Sequence, residues 1–243
     1  MKYNKLWIFG ICGIMGALLI GCHHSVSQQS SPKELNVIGK NSVILQNQKS
    51  DEFKIVNLTN GKEEPSLLQN GTVKLPSFGE YQLQGDFSRL TKLRVSGKTK
   101  VSGKNIYLSK ITLVVEDDAE LRLQGEMKNL TVIGNKNAII ESWWNGGDTL
   151  TLKLADTAKA KIAGKINKLV AELADETQLK AEALRTRAVK IKAGGTSIAK
   201  IRPENLIDAE ATDKSNIYYF GYPKTKKIVT HEAGDVLFCD LEV

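Results

Sequence analysis

The side chains of this 243-residue chain that could do chemistry are few, and their spacing does not suit catalysis. A hydrolase of the serine–histidine–acid type needs a histidine held against its nucleophile. Of the three histidines, His23 and His24 fall in a polar N-terminal stretch, which leaves only His231. Parallel β-helix enzymes that cleave acidic polysaccharides use carboxylates and basic residues on an outer face, and Glu116, Asp117 and Asp118, with Arg122 one strand later, are the nearest such set. Adjacent carboxylates on a strand point to opposite sides or mark a turn, so this set reads as a solvated corner, and no catalytic residue is assigned. Three cysteines and three histidines are too few for a zinc cluster or a haem. A His23–His24 pair on a flexible segment lacks the geometry a metal needs. Gly146-Gly147-Asp148 precedes a strand rather than a helix, so no phosphate loop is expected. The sequence thus predicts neither metal nor cofactor.

Aromatic rings are the other candidates. They make up 6% of the chain, low for a carbohydrate-active protein or for one that stacks on single-stranded nucleic acid, and no nucleic-acid partner is expected. They do cluster, as Trp143-Trp144 before Asn145-Gly146-Gly147, and as Tyr218, Tyr219, Phe220 and Tyr222. Neighbouring residues on a strand face opposite ways, so at least one of the two tryptophans must reach the surface. It could stack on a sugar, meet a membrane interface, pack on another protein, or cover an apolar corner of its own domain. Trp143, Trp144, Tyr218 and Tyr222 form the candidate binding surface.

One further residue carries chemistry of a different kind. Lys2 and Lys5 precede the apolar run Leu6–Ile20, the form of a secretory leader, and the run ends Gly21-Cys22. This resembles the bacterial lipoprotein signal, in which cleavage between Gly21 and Cys22 leaves the cysteine diacylated as the new N-terminus. Residue 23 is not aspartate, and by the sorting pattern of enterobacterial-type lipoproteins that implies the outer membrane. Residues 1–21 are therefore read as leader and 22–34, rich in serine and glutamine, as a flexible tether that reaches roughly 20 Å. Cys12 leaves with the leader and Cys22 takes the lipid, so Cys239 has no disulfide partner and reads as a packed small apolar residue. The net charge of +7 includes Lys2 and Lys5, so the mature excess is mild. Dispersed charge of that size usually means solubility, although it could favour a negatively charged envelope surface.

The body must present these groups, and it is built on alternation. Inward apolar triplets recur at Leu150-Leu152-Leu154, Ala158-Ala160-Ile162, Leu169-Ala171-Leu173, Leu179-Ala181-Ala183, Val189-Ile191-Ala193 and Ile207-Ala209-Ala211, with lysine and glutamate between them. Period two excludes helix, and the strands advance by about ten residues, an internal repeat. Such a pattern suits an antiparallel sandwich or a solenoid. About half the inward positions from Ala158 to Ala211 are alanine, which suits a thin coil, and this stretch lacks the Asn-Gly pairs of tight hairpins. The reading is all-β, a single-stranded right-handed parallel β-helix (β-solenoid), with corners at Gly164, Gly194-Gly195 and Asn205. An N-terminal cap at 35–69 and a C-terminal cap at 224–243 would flank a β-helix domain at 70–223, since open strand edges invite aggregation.

Leu150 to Pro223, with Gly194-Gly195-Thr196-Ser197 at a turn and Asn216-Ile217-Tyr218-Tyr219-Phe220-Gly221-Tyr222-Pro223 at its close, resembles the putative auto-transporter adhesin head GIN domain family. The likeness covers about residues 70–225, most clearly in the second half. It differs in having few Ser-Gly-Ser-Gly turns, of which Ser96-Gly97-Lys98 and Ser102-Gly103-Lys104 are partial versions, which leaves the likeness weakest over the first coils. The resemblance implies a β-helix on an exported, often lipidated bacterial protein, without established catalytic residues. The expected function is a non-enzymatic envelope lipoprotein, held to the membrane by its N-terminal lipid and binding a surface glycan or polymer. Two alternatives stand beside it: an assembly protein contacting other envelope proteins, and a polysaccharide-active β-helix enzyme.

Overall fold

The computed structural model describes residues 30–240 except 51, 77, 78 and 145. The leader, Gly21, Cys22, His23 and His24 therefore lie outside the described residues. The fold is a parallel β-solenoid of about seven turns. Its strands are β1 (Glu34–Gly39), β2 (Ser42–Asn47), β3 (Lys54–Asn57), β4 (Lys62–Glu63), β5 (Leu68–Gln69), β6 (Thr72–Lys74), β7 (Glu80–Gly85), β8 (Lys92–Gly97) and β9 (Lys100–Val115). They continue as β10 (Glu120–Gly134), β11 (Ile139–Trp144), β12 (Thr149–Leu154), β13 (Lys159–Leu173), β14 (Gln178–Ala193), β15 (Ile198–Ala211), β16 (Asn216–Phe220), β17 (Thr225–Thr230) and β18 (Asp235–Cys239).

Each coil has two faces, so the ten-residue repeat is half a coil. The register runs Leu121, Ile140, Ala160, Leu179, Ala199, Ile217, Val236 along one face, here face A. Along the other, face B, it runs Val132, Leu152, Ala171, Ile191, Ala209, Ile228. Neighbouring rungs are about 4.8 Å apart. All of these are buried except Val236 and Ile228, which lie in the last rung. Alternation thus fills the interior from both walls, with alanine at Ala158, Ala160, Ala171, Ala181, Ala193, Ala199, Ala209 and Ala211.

The two corners differ in kind. At the first, the residue that opens the turn is left-handed in every coil from β8 onward: Gly97, Asp117, Lys136, Asp156, Asp175, Gly195, Asp213 and Glu232. At the second, the long strands bend without breaking, and the ladder register slips there. Gly194-Gly195 sits at the first corner, and Gly164 and Asn205 at the second, as expected. One inward assignment fails for the same reason. The slip between Lys161 and Gly164 inserts one extra residue into β14, so Ala183 is exposed and Leu184 takes the core position.

The N-terminal strands are not added in chain order. β1 lies between β6 and β8, and β2 between β7 and β9, all parallel. The first coil of the chain is therefore wedged between coils made later. Beyond β6 and β7 the edge is covered by antiparallel strands, β5 on β6 and β3 on β7. The β5–β6 hairpin turns on Asn70-Gly71, both left-handed, the pair a tight antiparallel turn requires. Tyr81 and Phe87, both 1% exposed, fill this wider end, and Phe53 meets Phe87 edge-on at 6.3 Å. At the opposite end β17 and β18 form the last described rung, on which Ile228, Leu237 and Phe238 are about 40% exposed.

Candidate functional site

Parallel stacking sorts the outward side chains of face A into columns one rung apart. One column reads Gln82, Ile44, Ser102, Arg122, Glu141, Lys161, Lys180, Lys200, Tyr218. Beside it run Gln84, Gln46, Lys104 and then Gln124 and Trp143. Where these columns pass the second corner, β9 bulges: Asn105 adopts φ 55° and the register with β10 shifts between Leu123 and Gly125. The bulge leaves a groove of about 590 Å³, with Gly103 in its lining and Ile44, Gln46, Gln82, Arg122, Gln124 and Trp143 around it.

The two tryptophans part as alternation demands. Trp144 is 2% exposed, its indole N–H donating to the Ser142 hydroxyl, whereas Trp143 is 42% exposed and faces the groove. Ile44, 41% exposed, adds a second apolar surface. Arg122 is braced by Glu141 at 3.3 Å and Glu120 at 3.6 Å. A flat ring, three side-chain amides and a fixed guanidinium can stack on one side of a sugar and exchange hydrogen bonds with its hydroxyls.

The other candidates lie elsewhere. Tyr218 stands on the same face four rungs from Trp143, roughly 19 Å away. Tyr222, 73% exposed, is at the last rung, where its hydroxyl donates to Asp240 and its ring packs on Phe238 at 5.3 Å. Cys239, half-buried, lies in the same rung. Thus the four aromatic residues do not converge.

The acidic set and Arg122 do not converge either. Asp117 belongs to the left-handed corner, accepting the Gly97 N–H at 3.0 Å and the Lys136 ammonium at 2.6 Å, and these bonds hold its carboxyl below the usual carboxylate range. Asp118 accepts from the Asn137 amide and Glu116 pairs with Arg94, while Arg122 lies on face A in the groove. Among the described residues no group of three or more His, Cys, Asp and Glu is placed to hold a metal, and no helix is long and apolar enough to cross a membrane.

Sequence reasoning missed most of the groove. Ile44 and Gln46 reach it only because β2 is wedged between β7 and β9. The one available signal was Gly103 within a strand, which marks a bulge as readily as a turn.

The family model described as putative auto-transporter adhesin, head GIN domain, matches residues 87–223. No curated protein matches the chain. Among solved structures, one from Parabacteroides distasonis ATCC 8503 described as a putative lipid binding protein superposes with a TM-score of 0.72 at 13% identity. It covers 86% of this chain and 93% of that one. A putative adhesin from Parabacteroides merdae ATCC 43184 gives 0.64 at 14% identity, and one from P. distasonis ATCC 8503 gives 0.69 at 11%, each over 87% of this chain and 94% of the other. At these identities the likeness is one of fold.

Proposed function

Since the chain belongs to the putative auto-transporter adhesin, head GIN domain family, its matched region covering more than half of the sequence, we propose that it is a non-enzymatic binding protein of the bacterial cell envelope. In this reading residues 1–21 are removed, Cys22 carries the lipid, and 22–34 tether a rigid solenoid. The anchor holds the protein to the outer membrane and the groove around Trp143 takes a surface glycan. The observation that carries it is the half-exposed Trp143 ring beside Gln124 and Arg122 in a groove of sugar-binding composition. The nearest catalytic candidates, Asp117 and Asp118, are taken up by hydrogen bonds at a corner away from that groove, which favours binding over catalysis.

Immobilised envelope polysaccharide and the purified chain test it. Trp143→Ala should lose most of the binding while keeping the fold, and unchanged binding would remove the groove from the function. Labelling cells with an alkynyl palmitate tests the anchor: the wild-type chain should take up label and Cys22→Ala should not.

A second reading rests on the last rung. The outer edges of β17 and β18 and the exposed Ile228, Leu237 and Phe238 suit contact with another envelope protein by strand addition. Cross-linking in intact envelopes from a residue placed at position 237 would trap that partner.

A further inference from the structure

The two faces of the solenoid treat charge differently. On face B an outward column alternates in sign, Lys153, Glu172, Lys192, Glu210. Lys153 pairs with Glu172 and Lys192 with Glu210, each at 2.7 Å, and Lys227 approaches Asp208 at 3.7 Å in the next column. This is the arrangement expected of stacked strands, in which opposite charges on neighbouring rungs stabilise the ladder and like charges oppose it.

Face A keeps that rule at Lys100–Glu120 and Arg122–Glu141 but breaks it from β13 to β15. Lys161, Lys180 and Lys200 occupy one column on three consecutive rungs, and among the described residues none of them has a carboxylate within ion-pair distance. Lys159 and Arg202 flank them on the same face. The acids nearby are Glu182, whose Oε2 is buried without a hydrogen-bond partner, and Glu204, which is bonded to Arg185 at 2.7 Å. The column begins one rung beyond Glu141, the residue that braces Arg122 in the Trp143 groove, and it ends against Tyr218.

We infer that face A is a track for an acidic polysaccharide, with one stretch of polymer seated in the Trp143 groove and its carboxylate or sulfate groups carried along Lys161, Lys180 and Lys200 toward Tyr218. This rests on the glycan reading of the groove and names the class of glycan. Stacking like charges works against the ladder, and a bound polyanion that neutralises them removes the penalty. The column, with Lys159 and Arg202 beside it, runs along the solenoid axis, which matches a single strand of polymer. A linear row of fixed charges also makes the binding strongly dependent on salt.

Dextran sulfate and uncharged dextran, which share a backbone, are suitable probes for the full chain. The inference expects clear preference for dextran sulfate, weakened about tenfold or more when salt is raised to about 1 M. The variant Lys161→Gln/Lys180→Gln/Lys200→Gln should bind about tenfold more weakly. The matched variant Lys128→Gln/Lys168→Gln/Lys190→Gln, which removes three exposed lysines on or beside face B, should stay within about twofold. Lys→Arg replacement of the face A column should retain binding, and unchanged melting curves would exclude loss of fold. Equal weakening by both triple variants would reduce the effect to net charge and overturn the track. So would equal binding of the two polymers, or binding through these lysines to phosphatidylglycerol vesicles with none to dextran sulfate. The groove is judged separately: if Trp143→Ala leaves polymer binding intact while the lysine variant loses it, the groove reading fails and the track stands.

Discussion

Asp213 reaches back one coil to accept the backbone N–H of Gly195 at 2.7 Å, the residue that occupies its own place in the preceding turn. The same bond links Asp117 to Gly97, Asp156 to Lys136 and Asp175 to Asp156. Aspartate serves the position twice, because it tolerates the left-handed conformation and because its carboxylate satisfies an amide that the turn leaves without a ladder partner.

These bonds favour the ionised carboxyl, and the pKa values of Asp117 and Asp213 are lowered accordingly. For Asp117 the largest contribution is the Lys136 side chain, followed by the Gly97 amide; for Asp213 it is the Gly195 amide. A carboxyl whose folded pKa lies below its unfolded value adds stability above the unfolded value, near 3.9, and loses it as pH falls through the folded one. The melting temperature should therefore hold from neutral pH to about 5 and drop below about 4. The double variant Asp117→Asn/Asp213→Asn keeps the acceptor and the turn, and should be less stable at neutral pH with a shallower acid decline. Melting curves from pH 7 to about pH 3 test this, and an acid decline as steep as that of the wild type would contradict it.

Val37, fully buried, is held between Val73 on one side and Val95 on the other, so the N-terminal coil depends on neighbours from both sides of the cap. Stability in a solenoid is close to a sum of nearest-neighbour terms. Val37→Asp buries a charge with no partner and should open both contacts of β1. Hydrogen exchange is expected to show lost protection in β1, β6 and β8, with β13 to β15 still protected. Uniform loss throughout the chain would show that the stack unfolds as one unit.

Gly164 has φ 128°, and a Cβ there would come within 2.0 Å of the Trp144 carbonyl oxygen in the neighbouring rung. Gly61 is also left-handed, at φ 70°, with open space where a Cβ would go. Gly61→Ala should cost about 1 kcal/mol, the conformational penalty alone. Gly164→Ala must also move backbone at a corner packed on both sides, and should cost more than about 3 kcal/mol. Urea midpoints compare the two, and equal shifts would mean that the second corner yields more easily than its packing implies.

The contrast between these glycines also shows what could be read from the chain before its fold was known. Inward alternation from Leu150 to Ala211 follows from local period, so the core and the solenoid were legible in it. The failure at Ala183 arises where the strand bends and the ladder slips, and no local period records a slip. The wedging of β1 and β2 was equally hidden, since the register between strands distant in sequence is decided by which edges are free when they meet. The Asp column could have been seen in the recurring Ala-Asp at 155–156 and 174–175, had the corner been recognised as left-handed. Tyr218 and Tyr222 were chosen for ring chemistry alone, and only the coil geometry places them away from Trp143.

Trp143 and Trp144 are adjacent in sequence and opposite in role, so they offer a test in which stability and binding can be separated. Trp144 is buried with its indole N–H on Ser142, and Trp144→Ala should cost about 3–5 kcal/mol through the cavity and the hydroxyl left without its donor. Trp143 gives up little packing when removed, and Trp143→Ala should change stability by less than about 1 kcal/mol. Its half-exposed ring should also be quenched by acrylamide in the free protein and shielded once the groove is filled, whereas the ring of Trp144 is shielded throughout. In a Trp144→Phe background, shielding of Trp143 by bound polysaccharide would place the ligand on the ring itself. Full quenching of Trp143 at saturating polysaccharide would put the ligand elsewhere on the solenoid, and the last rung around Tyr222 and Phe238 would then become the better place to look.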